Sequence, residues 1–128
     1  MRAGAEPYRP DLFEQFGTVV ARRMFGALGL FSGDVMVGIV IDDVIYLKTD
    51  EKTRPRFVAE GMEPFVYSKR TGEEIVLSYY TVPDRLYDEP EEFAEWVRAA
   101  YAVAERSPAV QKKRGMAAKP ARAKRARA

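Results

Sequence analysis

The chain has 128 residues, 47% of them hydrophobic, and neither cysteine nor histidine. That length supports one two-layer core. The missing residue types exclude a disulfide frame, a thiolate nucleophile and the commonest transition-metal ligands, and they remove the usual general base. The net charge of +2 conceals a division. Residues 107–128 hold Lys112, Lys113, Arg114, Lys119, Arg122, Lys124, Arg125 and Arg127 and no acid, while the remainder carries 13 basic and 19 acidic side chains.

No apolar run approaches the ~20 residues of a membrane span, and the first residues lack the apolar stretch of a secretory signal. The expectation is a cytoplasmic chain with no membrane, metal or cofactor. Residues 1–9 read as a flexible N-terminus, 10–106 as the folded domain, and 107–128 as a disordered tail of Ala, Lys, Arg and Pro with little to bury.

In chain order, Leu12, Phe13, Phe16, Val19 and Val20 recur at helical spacing and predict a helix over 11–21, with Gly17 as a weakness. Arg22 and Arg23 would close it, favoured by the helix dipole. In 24–34, Gly26 lets the chain leave that helix, Gly29 marks a bulge or close packing in a first strand, and Ser32-Gly33-Asp34 turns. A phosphate-binding loop is disfavoured: the order is helix then strand, and the glycines fit neither GxGxxG nor GxxxxGK[ST].

Residues 35–41 and 44–48 are rich in β-branched side chains, and Asp42-Asp43 between them fits a two-residue hairpin. That turn pairs Ile41 with Val44, Ile39 with Tyr46 and Val37 with Lys48. One face then holds Met36, Gly38, Val40, Ile45 and Leu47 and is assigned to the core. The other holds Val37, Ile39, Ile41, Val44, Tyr46 and Lys48. It is too apolar for free solvent and marks a candidate partner or self-association surface.

Asp50 is a candidate cap for a short helix with Pro55 in its first turn and Gly61 at its left-handed end. Strands follow near 64–68 and 74–82, and Pro83 stops the second. Asp88, Pro90 and Glu91 predict a capped helix start. Phe93, Trp96, Val97, Ala100, Tyr101 and Ala104 then trace one apolar stripe. The fold class is α+β: an antiparallel sheet of about five strands with helices packed on it, in the order α-β-β-β-α-β-β-α.

Met24-Phe25-Gly26, the Asp42-Asp43 turn before Ile45-Tyr46-Leu47-Lys48, and Ser78-Tyr79-Tyr80 leading to Val82-Pro83 give a combined pattern that resembles the TfoX (Sxy) N-terminal domain family. The likeness runs from about Phe13 to Ala104. Ala27 and Leu28 stand where members often carry a glycine and an aromatic. The resemblance implies a non-enzymatic regulator: the family takes its name from proteins that switch on DNA-uptake (competence) genes together with the cyclic-AMP receptor protein. Within it, Met24, Phe25, Gly26 and Gly29 read as structural.

The residues themselves add little chemistry. Asp42 and Asp43 serve a turn, Asp50 a cap, and Glu89, Glu91, Glu92 and Glu95 a helix start, where acids suit the dipole. The expectation is therefore a domain acting through protein contacts. One alternative is non-specific DNA or RNA binding by the eight basic tail residues, whose strength would fall with salt. A ligand-binding or enzymatic module is the other, with no site identified.

Overall fold

A computed structural model describes the backbone of residues 10–24 and 26–122, with side chains for 11–24 and 26–115. Six strands form one antiparallel sheet: β1 (Val20–Met24), β2 (Ala27–Ser32), β3 (Val35–Ile41), β4 (Val44–Lys48), β5 (Pro64–Ser68) and β6 (Glu74–Thr81), in the spatial order β1-β2-β3-β4-β6-β5. Three helices accompany it: α1 (Arg54–Ala59), α2 (Pro90–Glu105) and α3 (Pro108–Arg122). The α+β class is as expected, with six strands instead of about five.

The extra strand replaces the expected first helix. Residues Pro10–Phe13 form a single 3-10 turn, and the chain is extended from Val20. Gly17 sits at φ +138°, which no helix tolerates. It is followed by Thr18, Val19 and Val20, three β-branched residues that favour strand. Leu12 and Phe13 do face the core, with the Phe13 ring 5.2 Å from that of Phe93. Val20, which the helical reading would have buried, is 48% exposed. Arg22 and Arg23 are therefore exposed strand residues, with no helix dipole to answer.

The β3–β4 hairpin has the expected register near its turn, Ile41 opposite Val44 and Ile39 opposite Tyr46, but the ladder runs only to Gly38 opposite Leu47 and does not include the expected pair of Val37 with Lys48. Asp42 and Asp43 take φ +52° and +67°, the two positive angles that a type I′ turn requires. Gly26 and Gly33 also have positive φ, and each belongs to a two-residue connection between neighbouring strands. Gly26 thus closes a strand–strand hairpin rather than ending a helix.

One irregularity reassigns two side chains. Leu30 pairs with Gly38 and Phe31 with Met36, so Val37 is an extra residue in β3. Such a bulge sets two successive residues on one side of the sheet. Val37 is accordingly fully buried in the core cluster, and Met36 lies on the opposite face, half-buried. Simple alternation along the hairpin puts both on the wrong face. Gly38 is needed at this point: a Cβ there would land on the Tyr46 carbonyl oxygen and 3.3 Å from Leu47 Cδ2.

The core lies on one side of the sheet only. Leu30, Val35, Val37, Val40, Ile45, Leu47, Tyr80 and Val82 meet Phe93, Trp96, Val97, Ala100 and Ala104 of α2, along the expected stripe. Phe57 of α1, Leu86 of a 3-10 turn (Asp84–Asp88) and Leu12 join the same cluster, and Val110 of α3 packs against it. The α2 start differs in detail from expectation. Asp88 ends the 3-10 turn, the N-cap is Glu89 without a side-chain bond, and Pro90 holds the first position. The N-cap of α1 is Thr53, without a side-chain cap bond; Asp50 instead closes the turn before it through a reciprocal pair, its Oδ1 accepting from the Thr53 N–H at 2.9 Å and Thr53 Oγ1 accepting from the Asp50 N–H at 3.1 Å. Gly61, at φ +78°, lets α1 end as expected.

Residues 108–122 are helical, where composition reads as disorder. Ala, Lys and Arg are strong helix formers once a start is fixed. Ser107 Oγ accepts from the Val110 N–H at 3.4 Å, Pro108 occupies the first position, and Val110 supplies an apolar foothold. Arg114 then spans two acids, Asp34 at 2.9 Å and Glu105 at 3.1 Å. Lys124, Arg125 and Arg127 lie outside the described residues.

Candidate functional site

Every described helix contributes to the cluster on one face of the sheet, so the other face has no helix over it among the described residues. Register defines its central row: Arg22 pairs with Gly29, Gly29 with Ile39, Ile39 with Tyr46, and Tyr46 with Thr81. Paired residues share a face. Beside that row lie the pairs Phe31–Met36 and Ile41–Val44. The Tyr46 and Phe65 rings meet edge to face at 5.6 Å.

Of the residues expected on this surface, Ile41, Val44, Tyr46 and Lys48 are half-buried. Ile39 is only 9% exposed, and Val37 belongs to the core. The cover over Ile39 is local. A Cβ on its partner Gly29 would meet Met24 Sδ at 2.6 Å and Met36 Sδ and Phe31 Cε1 at 2.9 Å, so three soft side-chain ends converge over that glycine. The Arg22 guanidinium stacks on the Phe31 ring at 4.9 Å. Gly29 thus sits at a close approach of side chains, and Gly26 in a hairpin turn instead of at the helix end expected of it; Phe25 lies outside the described residues. Sequence reasoning missed Phe31, Met36 and Phe65 as members of this face. Alternation in β2 would have signalled Phe31 once β2 was recognised as the neighbour of β3; the facing of Met36 depends on the bulge, and Phe65 belongs to β5, one strand beyond β6.

Beside Val44 and Tyr46 an open cleft of about 510 Å³ leads to Glu60 and Arg85. Arg85 donates to Glu60 and Glu92, with Nη1 to Glu92 Oε1 at 2.8 Å and Nε to Glu60 Oε1 at 2.9 Å. Those bonds hold the Glu92 carboxyl down to about 2 and the Glu60 carboxyl below its usual range. Arg56 stacks on the Trp96 ring at 4.3 Å, and Phe57 meets it edge to face. Trp96 itself is buried, as expected. Opposite charges answer one another here, as in a structural clamp.

At the far end of β4 a second open cleft, about 450 Å³, is lined by Lys48, Asp50, Lys52, Arg54, Ser78 and Arg106 among others. The Lys48 ammonium donates to Ser78 Oγ at 3.3 Å and lies 4.9 Å from the Tyr79 ring. Partial burial pushes the Lys48 pKa down and the Tyr79 phenol up. Arg106 donates to Asp50 Oδ2 at 2.9 Å. Lys48, expected at the rim of the apolar face, also lines this cleft at the end of β4.

The basic residues of the last segment do not act as one group. Arg114 is bound to Asp34 and Glu105, and the Asp34 bond raises its already high pKa. Lys112 and Lys113 are exposed on α3. Lys119 and Arg122 fall within the helix backbone, and the remaining three lie outside the described residues. Among the described residues no group of three or more carboxylates is placed to hold a metal ion, and no helix is long and apolar enough to cross a membrane.

The family model of the TfoX N-terminal domain matches residues 11–104. The chain belongs to the TfoX N-terminal domain family. The matched span begins within the 3-10 turn and ends in α2, so it takes in the whole six-stranded sheet and leaves α3 outside. The TfoX-type domain is therefore the sheet with α1 and α2, and the basic helix is an addition to it. No curated protein is significantly similar to the chain.

Proposed function

We propose that this TfoX-type domain is a non-enzymatic regulatory module, acting in the cytoplasm, that works by holding a protein partner on the open face of its sheet. The observation that carries this reading is the apolar face formed by Phe31, Met36, Ile41, Val44 and Tyr46, which no described helix covers. A one-sided sheet in water should alternate to polar residues on its free side, and a contiguous apolar patch instead suits a partner. The competence regulators that name the family supply the class of role: control of transcription through contact with another regulator. Support against an enzymatic role comes from chemistry. Near the clefts Glu60 and Glu92 are held by Arg85 and Asp50 by Arg106 and backbone N–H groups, and the chain has no histidine or cysteine to act as base or nucleophile.

The test is Ile41→Lys with Val44→Lys. Both positions are half-buried on the open face, so the long stems can reach water while their charges block an apolar contact. The double variant is expected to keep its circular dichroism and lose the partners, or the self-association, of the parent in pull-downs and sedimentation. A folded variant with unchanged mass and partners overturns the reading.

A second reading rests on charge segregation: eight basic residues and no acid from residue 107 onward. It gives sequence-independent nucleic-acid affinity that falls steeply with salt. Lys112→Gln with Lys113→Gln should weaken DNA binding at low salt. Equal binding by parent and variant removes those two residues from the interface.

A further inference from the structure

We propose that the cleft at the end of β4 binds a small phosphate monoester, with Lys48 as its central contact. The local charge is opposite in sign to that of the fold around it. The chain outside its last 22 residues has an excess of acids. The cleft wall reverses that locally, with Lys48, Lys52, Arg54 and Arg106 facing only Asp50 and Glu51. Four cations against two carboxylates leave two positive charges, the complement of a phosphate dianion; a single carboxylate would leave half of that charge unanswered.

The donors suit a tetrahedral oxyanion. The Lys48 ammonium has three N–H bonds, and its hydrogen bond to Ser78 Oγ uses one. Because Ser78 Oγ accepts there, its own proton is available to donate. The Tyr79 ring holds the ammonium from one side without neutralising it. Arg106 gives one N–H to Asp50 Oδ2 and keeps the rest of its guanidinium fork, the geometry that phosphate oxygens match. Ser107 and Pro108, the cap and first residue of the 15-residue α3, also line the cleft, so the positive end of that helix adds to the field. Lys48 is partly withdrawn from water, a state that costs energy in the charged form and that a bound anion would relieve. The cleft, about 450 Å³, has room for a phosphate with a small organic group.

The experiment titrates the full chain with inorganic phosphate, glycerol 3-phosphate, succinate and glycerol at fixed ionic strength, followed by amide and lysine side-chain NMR. The expected result is saturable shifts at Lys48, Ser78 and Ser107 with the two phosphates, and a rise in the Lys48 pKa when they bind. Lys48→Met should weaken phosphate binding by about tenfold or more, the loss of one charge-assisted contact. If that variant does not fold, Arg106→Gln, at an exposed position, carries the same test with the same expected direction. Lys112→Gln with Lys113→Gln should leave binding unchanged, which separates the cleft from general attraction to α3. Absence of saturable shifts, equal affinity in the folded Lys48→Met or Arg106→Gln variant, or succinate binding as tightly as glycerol 3-phosphate overturns the proposal.

Discussion

On one face of β3, Val35, Val37 and Val40 lie at most 4% exposed beneath α2; on the other, Met36 and Ile41 are half-buried with no described helix above them. Both sets are apolar, so composition does not separate them. The difference is cover. Where a helix stripe supplies the second layer, side chains reach the close packing of an interior, and each lost methyl leaves a void. Where the second layer is absent, the side chains shelter one another, as Met24, Phe31 and Met36 do over Gly29. The first arrangement stabilises the domain. The second leaves surface for something else to bury.

The largest expected separation comes from truncating one aliphatic residue on each face. Leu47→Ala, at 0% exposure under α2, should cost about 2–5 kcal/mol in urea denaturation. Ile41→Ala on the open face should cost under about 1.5 kcal/mol, since less of it is removed from water. Similar losses at the two positions would break the distinction.

Glycine substitutions on the two faces sharpen it. Gly38→Ala drives a methyl into a backbone carbonyl that cannot move without unpairing β4, and should cost about 1–3 kcal/mol. Gly29→Ala meets only methionine sulfurs and a ring edge, which can swing aside, so its cost should stay under about 1 kcal/mol. Melting both variants beside the parent checks the order.

A gain is expected from the turn that joins the two central strands. At its φ of +67°, Asp43 carries a steric strain that glycine does not have, so Asp43→Gly should stabilise by about 0.5 kcal/mol after the added freedom of the unfolded chain is subtracted. The measurement is the shift of the urea midpoint, and both faces should share the benefit.

The smallest effect belongs to the border of the open face, at Arg85. Glu92 titrates at about 2 instead of 4.5 because Arg85 bonds it. A folded pKa below the ordinary value adds stability that is present above pH 4.5 and lost as pH falls through about 2. The groups are partly exposed and solvent-screened, so the slope is shallow. Arg85→Gln should flatten it further in an acid titration of the melting temperature. An unchanged acid limb would detach the clamp from stability.

The same contrast separates what is legible in the sequence from what is not. The β3–β4 register follows from a two-residue turn and β-branched runs, and the α2 stripe from its 3.6-residue spacing; both signals are local. The facing of Met36 and Val37 depends on a bulge, which is set by how β2 meets β3 and leaves no mark in β3 itself. The segment from Leu12 to Val20 carries a helical spacing that holds for Leu12 and Phe13 as core residues, while Gly17 and three β-branched residues direct the chain to a strand. The helix from Pro108 needs partners 80 residues away, since Arg114 reaches back to Asp34. The candidate face is visible in Ile39, Ile41, Val44 and Tyr46. The basic cleft is not, because Lys48, Ser78 and Arg106 come together only through β4, β6 and the end of α2.

The meander of the first four strands has a consequence for how the chain is made. Strands β1 to β4 pair in sequence order, so this half of the sheet can assemble on the ribosome through short loop closures. The long helix that covers most of its inner face does not begin until Pro90. For some forty residues of synthesis, therefore, a nascent sheet shows water two greasy sides instead of one. That interval is when the molecule is most exposed to aggregation, and when a holding chaperone would find most to grip. Release of α2 ends it on one side only.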